Sequence, residues 1–338
     1  MLELIEKLSL LNGTSGREKE VRDFIINEIK DCADSYETDP SGNLIVFKKG
    51  AKTPKNKVML DAHMDEVGFI ITCVNSDGTL GFECVGGIDK RVILGRAVIV
   101  GENNINGVIG LKPVHHTPAA ERLNVPENLY IDIGADTKEK AEKLVSLGDC
   151  AYFNSEFVRF GDGFIKGKAL DDRAGCAILI DMIKSDLPFD MYFNFAAGEE
   201  VGFGAASTAA YRIKPDYAIV VETTTAADLA DVPESKKVCR LGEGGVISFM
   251  DRRTIYPREL FDKAFELGKK NNIKVQVKSA VAGGNNAGVI HKTAGGIKTL
   301  TVSLPCRYLH SPSCVLKNED ITASAEIIRL LAEDFANA

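Results

Sequence analysis

Apolar positions along the chain fall into two textures: long blocks with a clear period, and short broken runs. In residues 1–32 they recur at helical spacing, with Val21, Phe24, Ile25 and Ile29 on one stripe. The pattern breaks at Gly13-Thr14-Ser15-Gly16, where Thr14 or Ser15 suits a helix cap. Asp39 to Asn43 is a turn cluster, followed by a strand over 44–47 and a polar loop through Lys57. A compact apolar run from Val58 predicts a buried strand ending at His63.

From about residue 66 to 164 the runs are short and punctuated by glycine and polar turns. They predict strands at 67–74, 80–85, 96–100, 107–111 and 129–133, with one short helix over 138–145. The long blocks then return. A helix is predicted over 174–184, a strand over 191–197, a strand over 215–222 that ends in Glu222, and a strand over 246–250. A helix over 257–271, a strand over 298–304 and a closing amphipathic helix over 318–335 follow. The whole predicts an α/β protein with a small β-rich piece inserted between His63 and Asp171.

Length fits this division, because 338 residues are many for one hydrophobic core and comfortable for two domains. No apolar run approaches the ~18 residues of a membrane span. The first residues, Met-Leu-Glu-Leu-Ile-Glu-Lys, are acidic where a secretory signal is basic, so the expected location is the cytoplasm. A formal charge of −7 and the lack of a dense Lys/Arg block argue against nucleic acid as a partner. The eight cysteines form no Cys-x-x-Cys pair and read as small buried hydrophobes kept reduced. His115-His116, in a proline-flanked loop, reads as a surface feature.

The chemistry lies at strand ends. Gly-Lys-Ala-Leu-Asp171-Asp172-Arg-Ala-Gly and Gly-Glu199-Glu200-Val-Gly bracket the 174–184 helix and the strand after it. Side chains at the carboxyl ends of parallel strands converge on one crevice. Four such carboxylates would repel one another unless cations lay among them. His63, with Asp65 two residues on, ends another strand, and a carboxylate commonly holds the second nitrogen of a metal-bound histidine. Of the neighbours Glu199 and Glu200, extended backbone would turn one toward metal and leave the other free. The glycine-rich loop at 283–288 lacks the Lys-Ser/Thr pair of a phosphate cradle.

Four stretches in order, Leu-Asp-Ala-His63-Met-Asp65-Glu-Val-Gly-Phe, Gly-Lys-Ala-Leu-Asp171-Asp172-Arg-Ala-Gly, Gly-Glu199-Glu200-Val-Gly and Arg-Tyr-Leu-His310-Ser-Pro, resemble the M42 family of metallo-aminopeptidases, over essentially the whole chain. The resemblance implies a zinc-peptidase-like mixed sheet flanked by helices, formed by residues 1–64 and 165–338. An inserted β-rich oligomerisation domain would occupy residues 65–164.

The resemblance also implies two divalent metal ions per subunit, zinc above all, with cobalt or manganese also suited to mixed His and carboxylate ligands. Asp171 would bridge them through a cis peptide to Asp172. His63 and Glu222 would complete one ion's ligands, and Glu200 and His310 the other's. Glu199 would be the general base and Asp65 would orient His63. The substrates would be peptides, trimmed from the amino end. The expected assembly is a homo-oligomer, the hollow tetrahedral dodecamer of similar members, with residues 111–126 among its contacts. Two positions depart from the family pattern: Glu222 and Asn286 each stand where aspartate is commoner. The second puts Asn286 among the expected substrate-binding residues.

Two other functions stay open on the residues. The departures fit a metal-binding homologue that has lost most catalysis and acts as an assembly or binding protein. A glycosidase of the endoglucanase kind would need two carboxylates and no metal. The chain has no tryptophan for a glucan platform.

Overall fold

The run Val58–His63 is buried at every position, and such a strand needs cover on both faces. It lies inside an eight-stranded sheet of the computed structural model, which describes residues 1–111, 113–118 and 129–338. The spatial order is Ser35–Thr38, Leu44–Lys48, Met191–Ala196, Val58–His63, Tyr217–Thr225, Lys298–Cys306, Gly245–Ile247 and Val275–Val277. The four strands from Met191–Ala196 to Lys298–Cys306 run parallel. Helices Leu170–Lys184, Ala206–Ile213 and Asn318–Asn337 pack against them.

The parallel register sets up the site. Val220 pairs with Asp61, so Glu222 stands level with His63 on the adjacent strand, and Ala196 pairs with His63 on the other side. Three carboxyl ends therefore open onto one crevice. The short broken runs form a closed six-stranded barrel of Gly68–Val74, Leu80–Val85, Ala97–Val100, Ile105–Gly110, Tyr130–Asp132 and Cys150–Phe153. Its buried apolar cluster, including Phe69, Val98 and Phe153, is separate from the large one around the sheet. A third sheet joins Val158–Phe160, Phe164–Gly167 and Cys314–Lys317.

Some local expectations change. Neither Thr14 nor Ser15 caps the helix Lys19–Ile29, which has no side-chain cap bond. The Ser15 hydroxyl instead donates to Asp65, and Glu18 accepts from the backbone N–H of Gly16 and Gly198. The strand predicted to end at Glu222 continues to Thr225, because its pairing with Lys298–Cys306 extends to that residue. Glu199 and Glu200 sit in a tight turn, not in extended backbone. His115 and His116 are exposed, as the loop composition implies. The expected contact stretch 111–126 falls largely outside the described residues. Among the described residues no helix is long and apolar enough to cross a membrane.

Candidate metal centre and its cavity

Five of the side chains singled out in the sequence meet over the carboxyl ends of the parallel strands, Asp171 being supplied by the first turn of helix Leu170–Lys184. His63 Nε2 lies 3.4 Å from Asp171 Oδ1 and 3.4 Å from Glu222 Oε1. His310 Nε2 lies 3.3 Å from Asp171 Oδ2 and 3.2 Å from Glu200 Oε2. The two oxygens of Asp171 thus face two different groups, His63 with Glu222 and His310 with Glu200. Within each group the ligand atoms lie within 4.8 Å of one another.

The spacing suits a cation in each group, since four ligands about 2.0–2.1 Å from zinc stand about 3.3 Å apart at the corners of a tetrahedron. Two carboxylate oxygens here, Asp171 Oδ1 and Glu200 Oε1, are sealed from solvent and accept no hydrogen bond. Unpartnered buried carboxylate oxygens are costly, and a cation removes that cost.

Each imidazole is oriented by its other nitrogen. His63 Nδ1 donates to the carbonyl of Asp65 at 3.1 Å and lies 3.3 Å from the Asp65 carboxylate. His310 Nδ1 donates to the carbonyl of Gly87 at 2.8 Å, so the loop after barrel strand Leu80–Val85 positions a residue of the main sheet's site. His310 and Tyr308 hold positive φ, at 55° and 58°, a sparsely populated conformation that surrounding structure must sustain.

Asp65 does more than orient His63. Its carboxylate also accepts the backbone N–H groups of Glu199 and Glu200, both at 3.1 Å, and the Ser15 hydroxyl at 2.6 Å. The acidic turn is thereby pinned to the histidine strand. Gly198 enters it at φ +64°, where a Cβ would stand 2.4 Å from the Phe203 ring. Asp172, joined to Asp171 by a cis peptide, belongs to neither group and accepts from the N–H of His63 and Gly175.

The electrostatics follow from this crowding. Burial works against a charged His63, yet Glu222, Asp171 and Asp65 together raise it well above its ordinary value. Burial likewise opposes His310, but Asp171 and Glu200 raise it to about 10. Glu199 belongs to neither group, and burial, reinforced by Asp65 and Asp171 against His63, pushes it up to about 7.

A cavity of about 560 Å³ opens over the centre, lined by Asp171, Glu199, Glu200, Glu222 and His310. Asn285 lines it and Asn286 does not. Asn286 instead lies buried with its amide on Asp61. The structure also reveals partners that the sequence left unmarked. Lys168 pairs with both oxygens of Glu66 at 2.7 and 2.9 Å, Arg173 Nε donates to the Met64 carbonyl at 2.7 Å, and all three side chains are buried. All three residues stand inside the quoted motifs, but their contact spans about a hundred residues of chain.

The M42 glutamyl aminopeptidase family matches residues 42–327. The chain belongs to the M42 peptidase family. A putative aminopeptidase of Acetivibrio thermocellus is 40% identical to this M42 chain over 336 residues, 97% of each. The solved aminopeptidase APDkam598 from the archaeon Desulfurococcus kamchatkensis superposes with a TM-score of 0.93 at 34% identity, covering 98% of this chain and 94% of that one. The TET1 peptidase of Pyrococcus horikoshii, described as assembling into a tetrahedron or a large octahedral shell, gives 0.86 at 36% identity over 98% of each chain. As an M42 member, the protein is a metal-dependent aminopeptidase with a mixed α/β fold.

Proposed function

We propose that this aminopeptidase works with two divalent metal ions and uses Glu199 as its general base. The observation that carries the reading is the division of Asp171, one oxygen toward His63 and Glu222, the other toward His310 and Glu200. These five residues would hold the ions, and their mixed nitrogen and oxygen donors suit zinc first, then cobalt or manganese. When bound, the ions would supply Lewis-acid polarisation of the scissile carbonyl and acidify water in the site.

Glu199 stands outside both groups yet lines the same cavity, so its carboxylate is free to take a proton from water and deliver it to the departing amine. Asp65 keeps Glu199 and Glu200 in place through their backbone N–H groups and fixes the ring of His63. Three of the cavity's four carboxylates stand against an imidazole, which supports peptide hydrolysis on metal over a metal-free pair that would flank a sugar.

The two separate apolar cores support a discontinuous catalytic domain of residues 1–64 and 165–338 and an inserted domain of residues 65–164. Strand Val158–Phe160 lies outside the barrel, in the third sheet. The likeness to a shell-forming peptidase supports homo-oligomeric assembly, a dodecamer among the sizes to expect from light scattering.

The test is release of amino-terminal residues from unblocked peptides, with chelator and with zinc, cobalt or manganese restored. Chelation should abolish release. Glu199→Gln should lose about 10²–10⁴-fold in kcat while elemental analysis still finds two ions per chain. No release under any metal would overturn the reading, and an undiminished Glu199→Gln variant would remove Glu199 from its role.

A further inference from the structure

Residues Ala197 to Glu200 present four consecutive backbone N–H groups, and each meets a side-chain oxygen from a distant part of the chain. Ala197 donates to Asn43 Oδ1, Gly198 to Glu18 Oε1, and Glu199 and Glu200 to the two oxygens of Asp65, all at 3.1 Å. Asn43, Glu18 and Asp65 are all buried. The strand Met191–Ala196 ends just before these residues, so the sheet supplies none of the four bonds. The far side of the turn is open, with Val201 and Phe203 exposed.

The carboxylate of Glu199 makes no hydrogen bond and no ion pair among the described residues. Its place in the cavity is therefore set by the backbone that carries it. Gly198 is where that backbone turns, at φ +64°, so a bond at this residue fixes the direction in which Glu199 leaves the strand. A misplacement of about 1 Å can cost a catalytic group about 10²-fold in rate.

Asp65 is one part of this clamp. Glu18 is another, and it lies in neither metal group and does not line the cavity. Its Oε1 accepts both Gly198 and, at 2.7 Å, Gly16, which joins the acidic turn to the loop of residues 13–18. That loop is itself anchored. Gly13 donates to the Glu66 carboxylate at 3.1 Å and its carbonyl accepts the Glu66 N–H at 2.9 Å, while Ser15 donates to Asp65 at 2.6 Å. Asn43 is anchored in the same way, its amide donating to Asp39 and to the Ala205 carbonyl, both at 2.8 Å.

We propose that Glu18 is a positioning residue for peptide hydrolysis: by holding the N–H of Gly198 it aims Glu199 into the cavity, and Asn43 closes the same clamp at Ala197. This rests on the reading of Glu199 as the general base. The partner of Glu18 is a neutral N–H, so the contribution is one of reach and not of charge.

Two variants separate reach from charge. Glu18→Gln keeps an oxygen at the same distance and removes the charge, whereas Glu18→Asp keeps the charge and draws the oxygen back by one methylene. Each is made alone and together with Glu199→Gln, loaded with metal and assayed on an unblocked peptide that the wild type cleaves, with metal content and melting midpoint recorded. Glu18→Asp should lose about 10–10²-fold in kcat with KM nearly unchanged and both ions retained, and Glu18→Gln should keep at least about a third of the rate. On top of Glu199→Gln, Glu18→Asp should cost less than about twofold, because residues that act through one group are not additive. Glu18→Met, which fills the space without an acceptor oxygen, stands in if Glu18→Asp does not fold.

A lower melting midpoint with kcat undiminished in Glu18→Asp would make the role purely structural and overturn the proposal. The reverse order, with Gln impaired and Asp active, would overturn it as well, as would a full additional loss in the Glu199→Gln background. If the wild type cleaves nothing, or Glu199→Gln is undiminished, the peptidase or general-base reading fails on its own. Amide hydrogen exchange of the metal-loaded protein then judges the clamp. Exchange at Gly198 at least about tenfold faster in Glu18→Asp than in Glu18→Gln supports it, and equal exchange overturns it.

Discussion

Nδ2 of Asn286 donates to Oδ2 of Asp61 at 2.9 Å across 225 residues of chain. Asp61 also accepts from Asn194 at 2.5 Å, and burial raises its carboxyl to about 6 despite both amides. The amide at 286 thus meets a buried carboxylate below the crevice. Asn286→Asp would set a second carboxylate beside Asp61, and the pair could hold charge on only one member. Carboxyls whose folded pKa is raised stabilise the fold fully below their unfolded value near 4, and that contribution is lost as pH rises through the raised value. The variant should melt close to wild type near pH 4 and several degrees lower at pH 8, a rise of about two units being worth ~3 kcal/mol. An equal deficit at both pH values would refute this account.

Asp65 has the opposite sign. Although burial opposes its charge, His63, Ser15 and the Glu199 N–H hold its carboxyl below the ordinary value, so its contribution is present above about pH 4 and lost as pH falls through the lowered pKa. Asp65→Asn would turn a donor toward the N–H of Glu199 or Glu200 or toward His63. We expect a loss of about 2–3 kcal/mol at pH 7, measured by urea unfolding, that shrinks toward acid pH, together with weaker metal retention. Full stability with lost activity would leave only its role in orienting His63.

Glu66 is the sole carboxylate partner of two buried cations, Lys168 and Arg173, among the described residues. It ties the loop after His63 to the start of helix Leu170–Lys184, which bears Asp171. Glu66→Gln should cost about 3–5 kcal/mol in the same unfolding assay, because it leaves buried charge uncompensated. A change below 1 kcal/mol would show that water replaces the carboxylate there.

Metal uptake should release protons. In the metal-free protein the carboxylates raise His63 well above its usual range and His310 to about 10, whereas ligation requires neutral rings. Between pH 6 and 8 the apparent zinc affinity should rise by about tenfold per pH unit for each proton displaced. Calorimetry in buffers of different ionisation enthalpy measures the number directly. A pH-independent affinity would mean that the rings are already neutral. Chelator should also lower the unfolding midpoint, since the ions bind the folded chain only.

Much of this site was legible in the chain. His63, Glu200, Glu222 and His310 stand at or just past the ends of apolar runs, and strand ends in a parallel sheet converge whatever the details of packing, while Asp171 enters from the first turn of helix Leu170–Lys184. Five of the six barrel strands were equally visible, because glycine and polar turns cut their runs to strand length, whereas Cys150–Phe153 was not marked as a strand. Less legible was anything that depends on turn geometry. The notion that Glu199 and Glu200 diverge from extended backbone gives way to a turn whose N–H groups both close on Asp65.

By itself, then, the sequence determined which residue types end the strands, where the barrel interrupts the sheet, and that several carboxylates would need cations. Those are properties of local period and composition, which neighbours along the chain decide. Only the tertiary structure decided that Asp171 faces both histidines, that Gly87 in the loop after a barrel strand orients His310, that Asn286 serves Asp61, and that Lys278 lines the cavity. Each of these joins residues distant in sequence. Their meeting is set by strand register and helix packing, which single-residue preferences do not encode.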